Sequence, residues 1–174
     1  MTIEPDTKDW TWVLQRPCPE CGLDTRAVDV RQVPRLIDEN ARSWHQVLTS
    51  RPDVRDRPAP AVWSPLEYGC HVRDVLRLFD RRLQLMLTED DPSFANWDQD
   101  ATALEDDYAA QDPVTVAGQL REAASTLAAR FASVEGEQWQ RTGGRSDGAR
   151  FTVDSFARYF LHDIVHHVHD VGAA

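Results

Sequence analysis

Residues 63–88 read WSPLEYGCHVRDVLRLFDRRLQLMLT, and this stretch decides the fold class. Ser64 followed by Pro65 is a helix start. A serine hydroxyl can accept a hydrogen bond from a first-turn amide, and proline suits a position whose own amide would have no partner. From there Val72, Val75, Leu76, Leu78, Phe79, Leu83, Met86 and Leu87 recur at helical spacing. Working outward, Val33, Leu36, Ile37, Trp44, Val47 and Leu48 mark a helix over residues 32–50, closed by Pro52, Pro58 and Pro60. On the other side, residues 113–134 begin at Pro113, are rich in alanine, and carry Leu120, Leu127 and Phe131. Residues 152–171 form the last helix, with Thr152 as its cap.

Long helices with almost no strand signal predict an all-α four-helix bundle. The link over residues 89–112 is the longest; it is acidic, broken by Pro92, and has room for a short helix over 97–110. A link of that length can run back along the bundle, which places the second and third helices parallel and gives an up-down-down-up order. Residues 136–150 contain Gly136, Gly143, Gly144 and Gly148 and read as a flexible loop. Residues 1–30 hold Trp10, Trp12 and Leu14, then Pro17-Cys18-Pro19-Glu20-Cys21-Gly22, and read as an irregular arm ahead of a bundle over 31–174.

Composition narrows the partners. The chain has 174 residues, 41% hydrophobic and 28% charged, which suits an ordered domain with its own core. The formal charge is -10, from 19 basic and 29 acidic residues. That balance lacks the basic footprint of phosphate binding, so no nucleic-acid partner is expected. No apolar run reaches the ~20 residues that span a bilayer, so no membrane partner is expected either. The start, MTIEPDTKDWTWVL, has no secretory pattern, and an odd count of three cysteines gives no disulfide framework; the expected compartment is the reducing cytoplasm.

The chemistry is concentrated in Phe160-Leu161-His162-Asp163-Ile164-Val165-His166-His167-Val168-His169-Asp170-Val171. Residues four apart share a helix face, so His162 with His166, or Asp163 with His167, could each chelate a metal. Helical phase separates the pairs. Val153, Phe156, Phe160, Ile164 and Val171 form the apolar stripe, bordered by Asp163 and His167. His162 and His166 fall near the opposite side, beside Ser155 and Arg158. A bundle metal site projects inward, which favours Asp163 and His167, with His162 and His166 as the alternative register. An inward acid also needs a partner, since an unpaired buried carboxylate is costly. The third ligand is expected from His71, near the start of helix two, which meets the end of helix four if those helices are antiparallel. His45 is its competitor. Glu67, one turn before His71, could orient it as a carboxylate partner. Three protein ligands and an open position make a catalytic pattern, not a closed structural one.

Trp63, Glu67 and His71, together with Asp163-x-x-x-His167-x-x-Asp170-Val171, resemble the DinB superfamily of four-helix bundles over roughly residues 31–171. The pattern is closest to the actinobacterial branch that includes mycothiol-dependent maleylpyruvate isomerase. In other branches the acid of this pattern is a histidine, which would move the ligands to His162 and His166. The resemblance implies an up-down-down-up bundle holding a divalent metal, zinc or nickel. It also implies a low-molecular-weight thiol such as mycothiol as co-substrate, used in S-transfer to, or isomerisation of, a small electrophile. Two other readings stand beside it: a non-catalytic metal- or small-molecule-binding bundle, with a homodimer among its arrangements, and a hydrolase using metal-bound water.

Three features remain. Arg82 is close in phase to His71 and, like the arginines of the 142–150 loop, could bind a substrate carboxylate, so Arg82 and Glu67 are the residues expected to assist catalysis. Cys18 and Cys21 form half of a zinc knuckle without a second CxxC; Cys70 or a histidine could complete it, or the pair could be redox-active or a plain reduced turn. No glycine-rich loop follows a strand and opens a helix, so a nucleotide phosphate site is not expected.

Overall fold

The computed structural model describes residues 9–173; the first eight residues of the arm lie outside the described part. Its helices are α1 (Val33–Ser50), α2 (Pro65–Thr88), α3 (Gln99–Glu105), α4 (Pro113–Ala132) and α5 (Val153–Asp170). Three of the four long helices start where a side chain accepts from their free amides, and α1 has no side-chain cap. Ser64 and Glu67 form a reciprocal capping box at α2: Glu67 N donates to Ser64 Oγ at 3.3 Å, and Ser64 N donates to Glu67 Oε2 at 2.8 Å. Asp112 accepts from Thr115 N at 2.8 Å ahead of Pro113, and Thr152 caps α5 by accepting from Ser155 N at 3.1 Å. α1 ends at Ser50, just before Arg51-Pro52, as proline's bias against helix at the preceding residue requires.

Side-chain bridges fix the helix directions. Arg73 on α2 donates to Gln111 and Gln119, before and early in α4, while Asp80 accepts from Arg130 near the end of α4, so α2 and α4 run parallel. Asn40 donates to the Ile164 carbonyl and Arg51 to the Val171 carbonyl, so α1 and α5 run parallel. Leu48, near the end of α1, presses on Gly69, near the start of α2, which makes that pair antiparallel; a Cβ at Gly69 would lie 2.8 Å from a Leu48 methyl. The order is therefore up-down-down-up. The core between the helices is built around Phe79, Leu83, Leu120, Leu127, Phe131, Phe156, Phe160 and Ile164, all buried. Phe79 stacks on Phe156 at 4.6 Å between centroids.

Two segments differ from the sequence expectation. The flexible loop expected over 136–150 is an ordered hairpin. β2 (Thr142–Arg145) pairs antiparallel with β3 (Arg150–Thr152), and β1 (Ser93–Phe94) adds to β2 in parallel, with Ser93 opposite Gly144. Two to four residues per strand, with two glycines in the central one, leave no period-2 signal to read. Gly143 is there because the strand passes over Met86 and Phe94: a Cβ would meet Met86 Cγ at 2.9 Å. The arm, in turn, is a chain of 3-10 turns (Trp10–Leu14, Thr25–Ala27, Val30–Gln32) laid on α5. Arg158 of α5 clasps it by donating to the carbonyls of Thr25 at 2.6 Å and Val28 at 2.7 Å. No described helix is long and apolar enough to cross a membrane.

Phe160 is fully buried between Phe79 and Phe131. Phe160→Ala is expected to cost about 3–5 kcal/mol in denaturant unfolding. Leu104→Ala, at a position 76% exposed, is expected to change stability by less than about 0.5 kcal/mol.

Candidate metal centre

The antiparallel crossing of α2 and α5 brings the start of one helix beside the end of the other. His71, Asp163 and His167 meet there, each offering a donor atom within 4.8 Å of the others. His71 Nε2 lies 3.7 Å and His167 Nε2 3.6 Å from Asp163 Oδ1. These separations are too long for hydrogen bonds. Neither ring nitrogen of His71, which is 1% exposed, has a hydrogen-bond partner among the described residues, and the same holds for Asp163 Oδ1.

Each imidazole is held by its surroundings. His71 stacks on Trp97 at 5.4 Å with a 9° interplanar angle, and Trp63 flanks it at 5.3 Å. His167 places its Nδ1 2.9 Å from Asp170 Oδ2. That bond fixes the tautomer and turns Nε2 toward Asp163, the arrangement in which an outer carboxylate orients a metal-binding histidine. Burial pushes His71 below its ordinary pKa, with Asp163 opposing, so its ring is neutral and able to ligate. Burial pushes Asp163 up, but His71 and His167 outweigh it and hold the carboxyl below its usual range. Two imidazoles and a carboxylate, with orphaned donor atoms turned toward one another, fit a divalent cation. A buried polar group left unpaired costs stability, and an ion supplies the missing partner.

The centre lies at a cleft of about 760 Å³ walled by Trp63, Tyr68, Trp97, Arg145, Tyr159 and the arm's Trp10. Asp98, Asp100, Asp147 and Asp170 make its lining acidic. The described lining residues include no serine, threonine, cysteine or lysine.

The other residues singled out from sequence fall as follows. His162 and His166 do not join His71; they belong to a separate group with Cys18 and Cys21. They are also not solvent-facing, being 4% and 7% exposed, because the arm covers that side of α5. Burial pushes His162 down to about 4. Cys70 completes no knuckle: its thiol is buried toward Gln111 and the Tyr108 carbonyl, and burial pushes it up to about 12. His45 is exposed on α1.

Glu67 does not orient His71. Its carboxylate caps α2 through Ser64 and pairs with Arg57, whose Nε donates to Oε2 at 2.9 Å. Its contribution to His71 is thus to start the helix that carries it. Arg82 is buried behind the cleft, where its guanidinium donates to the Ala95 carbonyl at 2.7 Å and packs over Phe94 at 4.9 Å; burial pushes it down to about 10. The arginine that reaches the cleft is Arg145 of the hairpin, braced by Asp147 at 2.8 Å and Tyr159 at 3.2 Å. That hairpin's arginines were candidates from sequence, whereas Trp97 was missed. It stands between Phe94 and Tyr108 in an acidic link, with no helical or strand spacing to mark it.

These features describe a four-helix bundle with an internal three-donor site open to a cleft. The model of the DinB superfamily matches residues 36–171, and the chain belongs to that superfamily. YfiT from Bacillus subtilis, described as a probable metal-dependent hydrolase with an unusual four-helix bundle topology, has a similar structure. The TM-score is 0.72 at 18% identity, over 83% of this chain and 85% of that one. No curated protein matches the chain.

The Glu67–Arg57 pair yields a pH prediction. Burial pushes the Glu67 carboxyl up, but Arg57 and Ser64 outweigh this and hold it below its ordinary value of 4.5. A depressed folded-state pKa contributes stability that is complete above the unfolded value and is lost as pH falls through the folded one. Glu67→Gln is expected to lower unfolding stability by about 1–2 kcal/mol near pH 7, Arg57 being one-third exposed. The gap from the unsubstituted protein should close as the pH is taken below 4.5. Denaturant midpoints across that range check it.

Proposed function

We propose that the chain is a divalent-metal-dependent enzyme of the mycothiol-using branch of its superfamily, joining a low-molecular-weight thiol to a small electrophile in S-transfer or isomerisation. The observation that carries this reading is the convergence of His71, Asp163 and His167 at a cleft whose described lining has no Ser, Thr, Cys or Lys nucleophile. In this reading the carboxylates, histidines and tyrosines of the lining bind and orient, and a bound small molecule brings the nucleophile. A divalent ion, zinc or nickel, held by these three residues supplies a positive charge that lowers the pKa of a bound thiol or water near neutral pH.

The chain's own residues do the rest. Asp170 keeps His167 in the tautomer whose Nε2 is free of its proton, and Trp97 stacks on the His71 ring while Trp63 flanks it, which restricts its rotation. Arg145 offers a rigid, permanently charged fork at the cleft wall, suited to holding a carboxylate on the electrophile. The cleft, at about 760 Å³, has room for a thiol and an electrophile together. A second reading, metal-dependent hydrolysis with water as nucleophile, is favoured by the description of the structural neighbour YfiT.

The test is turnover of a chromogenic electrophile by metal-loaded full chain, with and without mycothiol. Turnover is expected to need both metal and thiol. His71→Ala and His167→Ala are each expected to lower kcat/KM by about 100-fold or more, with loss of bound metal by elemental analysis. Metal-dependent turnover without thiol would replace this reading with the hydrolytic one. Metal that binds and raises Tm with no turnover of either kind would make the protein a binding module.

A further inference from the structure

The arm and the outer face of α5 bring together four donors that the reaction does not use. We propose that Cys18, Cys21, His162 and His166 form a separate structural site that holds one zinc ion in a closed Cys2His2 set, fastening the arm to α5.

The donor atoms of these four residues lie within 4.8 Å of one another. Cys18 Sγ is 3.6 Å from His166 Nδ1. A sulfur and a nitrogen on one tetrahedral zinc, at about 2.3 Å and 2.0–2.1 Å from it, are about 3.6 Å apart. Cys18 is 1% exposed, His162 and His166 are buried, and Cys21 is half-buried. His162 Nε2 is buried with no hydrogen-bond partner among the described residues.

The local backbone is shaped to present both sulfurs on one side. Gly22 N donates to the Cys18 carbonyl at 2.9 Å, and Cys18 N donates to the Leu23 carbonyl at 2.9 Å. The tight turn puts Gly22 at φ +75°, a conformation glycine adopts without strain. The opposite wall is a helical i, i+4 histidine pair, whose rings lie 5.0 Å apart. With His166 Nδ1 aimed at Cys18, its Nε2 faces the carboxylates of Asp170 and Glu20, each 3.6 Å away. At that distance they make no hydrogen bond with the ring, and Nδ1 is the nitrogen turned to the sulfur. Trp10 packs over both rings, 5.6 Å from His162 and 5.3 Å from His166, and closes the site.

The donor set selects the ion and its role. Two thiolates and two imidazoles in a tetrahedral set suit zinc over magnesium or calcium. Four protein ligands leave no open position, so the site is structural and not catalytic. Its effect is on the cleft. The same arm carries Trp10 and Glu20, both in the cleft lining, so the ion holds one wall of the cleft in place. This inference does not depend on the reaction assigned to the His71 centre.

The full chain is purified without chelator, and zinc is counted; a second preparation is loaded with cobalt(II). A thiolate-to-cobalt charge-transfer absorption is expected. Cys21→Ser should abolish that absorption and remove one equivalent of zinc per chain. Cys21→His, which restores a ligand, should keep the zinc equivalent. His71→Ala should leave the charge-transfer absorption intact. Loss of metal in His71→Ala with the absorption retained assigns the two sites independently, whereas an unchanged metal count in His71→Ala with the absorption retained counts against the catalytic centre and upholds this one. Cobalt binding without thiolate absorption, an unchanged zinc count in Cys21→Ser, or a Cys18–Cys21 disulfide in protein purified anaerobically would each overturn the proposal.

Discussion

Helix α5 has no exposed residue from Val153 to Val168. The rest of the structure follows from that constraint. A helix covered all round is normally apolar all round, yet this one carries Asp154, Arg158, His162, Asp163, His166 and His167 in its covered length. His162 and His166 are buried and the other four partly so, and each needs a partner in proportion to the water it loses. Arg158 finds Asp154 and the carbonyls of the arm. The histidines and Asp163 find mostly one another, and groups of that kind are best satisfied by cations.

Helical geometry distributes these donors. Successive residues point about 100° apart, so His166 and His167, neighbours in sequence, face different surroundings. His167 turns toward α2 and His71; His166 turns toward the arm and Cys18. Asp170 stands between them, 2.9 Å from His167 and 3.6 Å from His166. Asp170 thus orients His167 by a hydrogen bond and lies beside His166, and the two donor groups are neighbours without sharing a ligand.

The inner half of this arrangement was legible in the sequence. Ser64-Pro65 and Thr152 mark helix starts by local chemistry alone, and the length of the 89–112 link sets the helix order. Because the two helices are antiparallel, phase alone then brings His71 to Asp163 and His167. The outer half was not legible. A hydrophobic stripe reports the face that packs on other periodic helices, and the covering on the far side is an aperiodic arm of 3-10 turns. His162 and His166 therefore looked solvent-facing. The Cys18–Cys21 knuckle looked incomplete because its complement lies 148 residues away. Arg145 was read as part of a loop because Gly143 and Gly144 hide the strand that aims it. Glu67 and Arg82 were credited with chemistry that the structure gives to helix capping and to packing behind the cleft.

The arm's attachment has a temporal consequence. Trp10 and its neighbours are made before the helices of the bundle, but the surface they rest on is α5, the last of those helices. Before α5 is made the bundle lacks Phe156, Phe160 and Ile164 of its core, and a domain generally folds as a unit. The opening segment must wait, solvated, until the final helix is released and docked, and contacts between such distant parts of a chain form late. A bundle whose helices have packed before the arm docks would have its core in place and still lack the cavity wall that Trp10 and Glu20 supply.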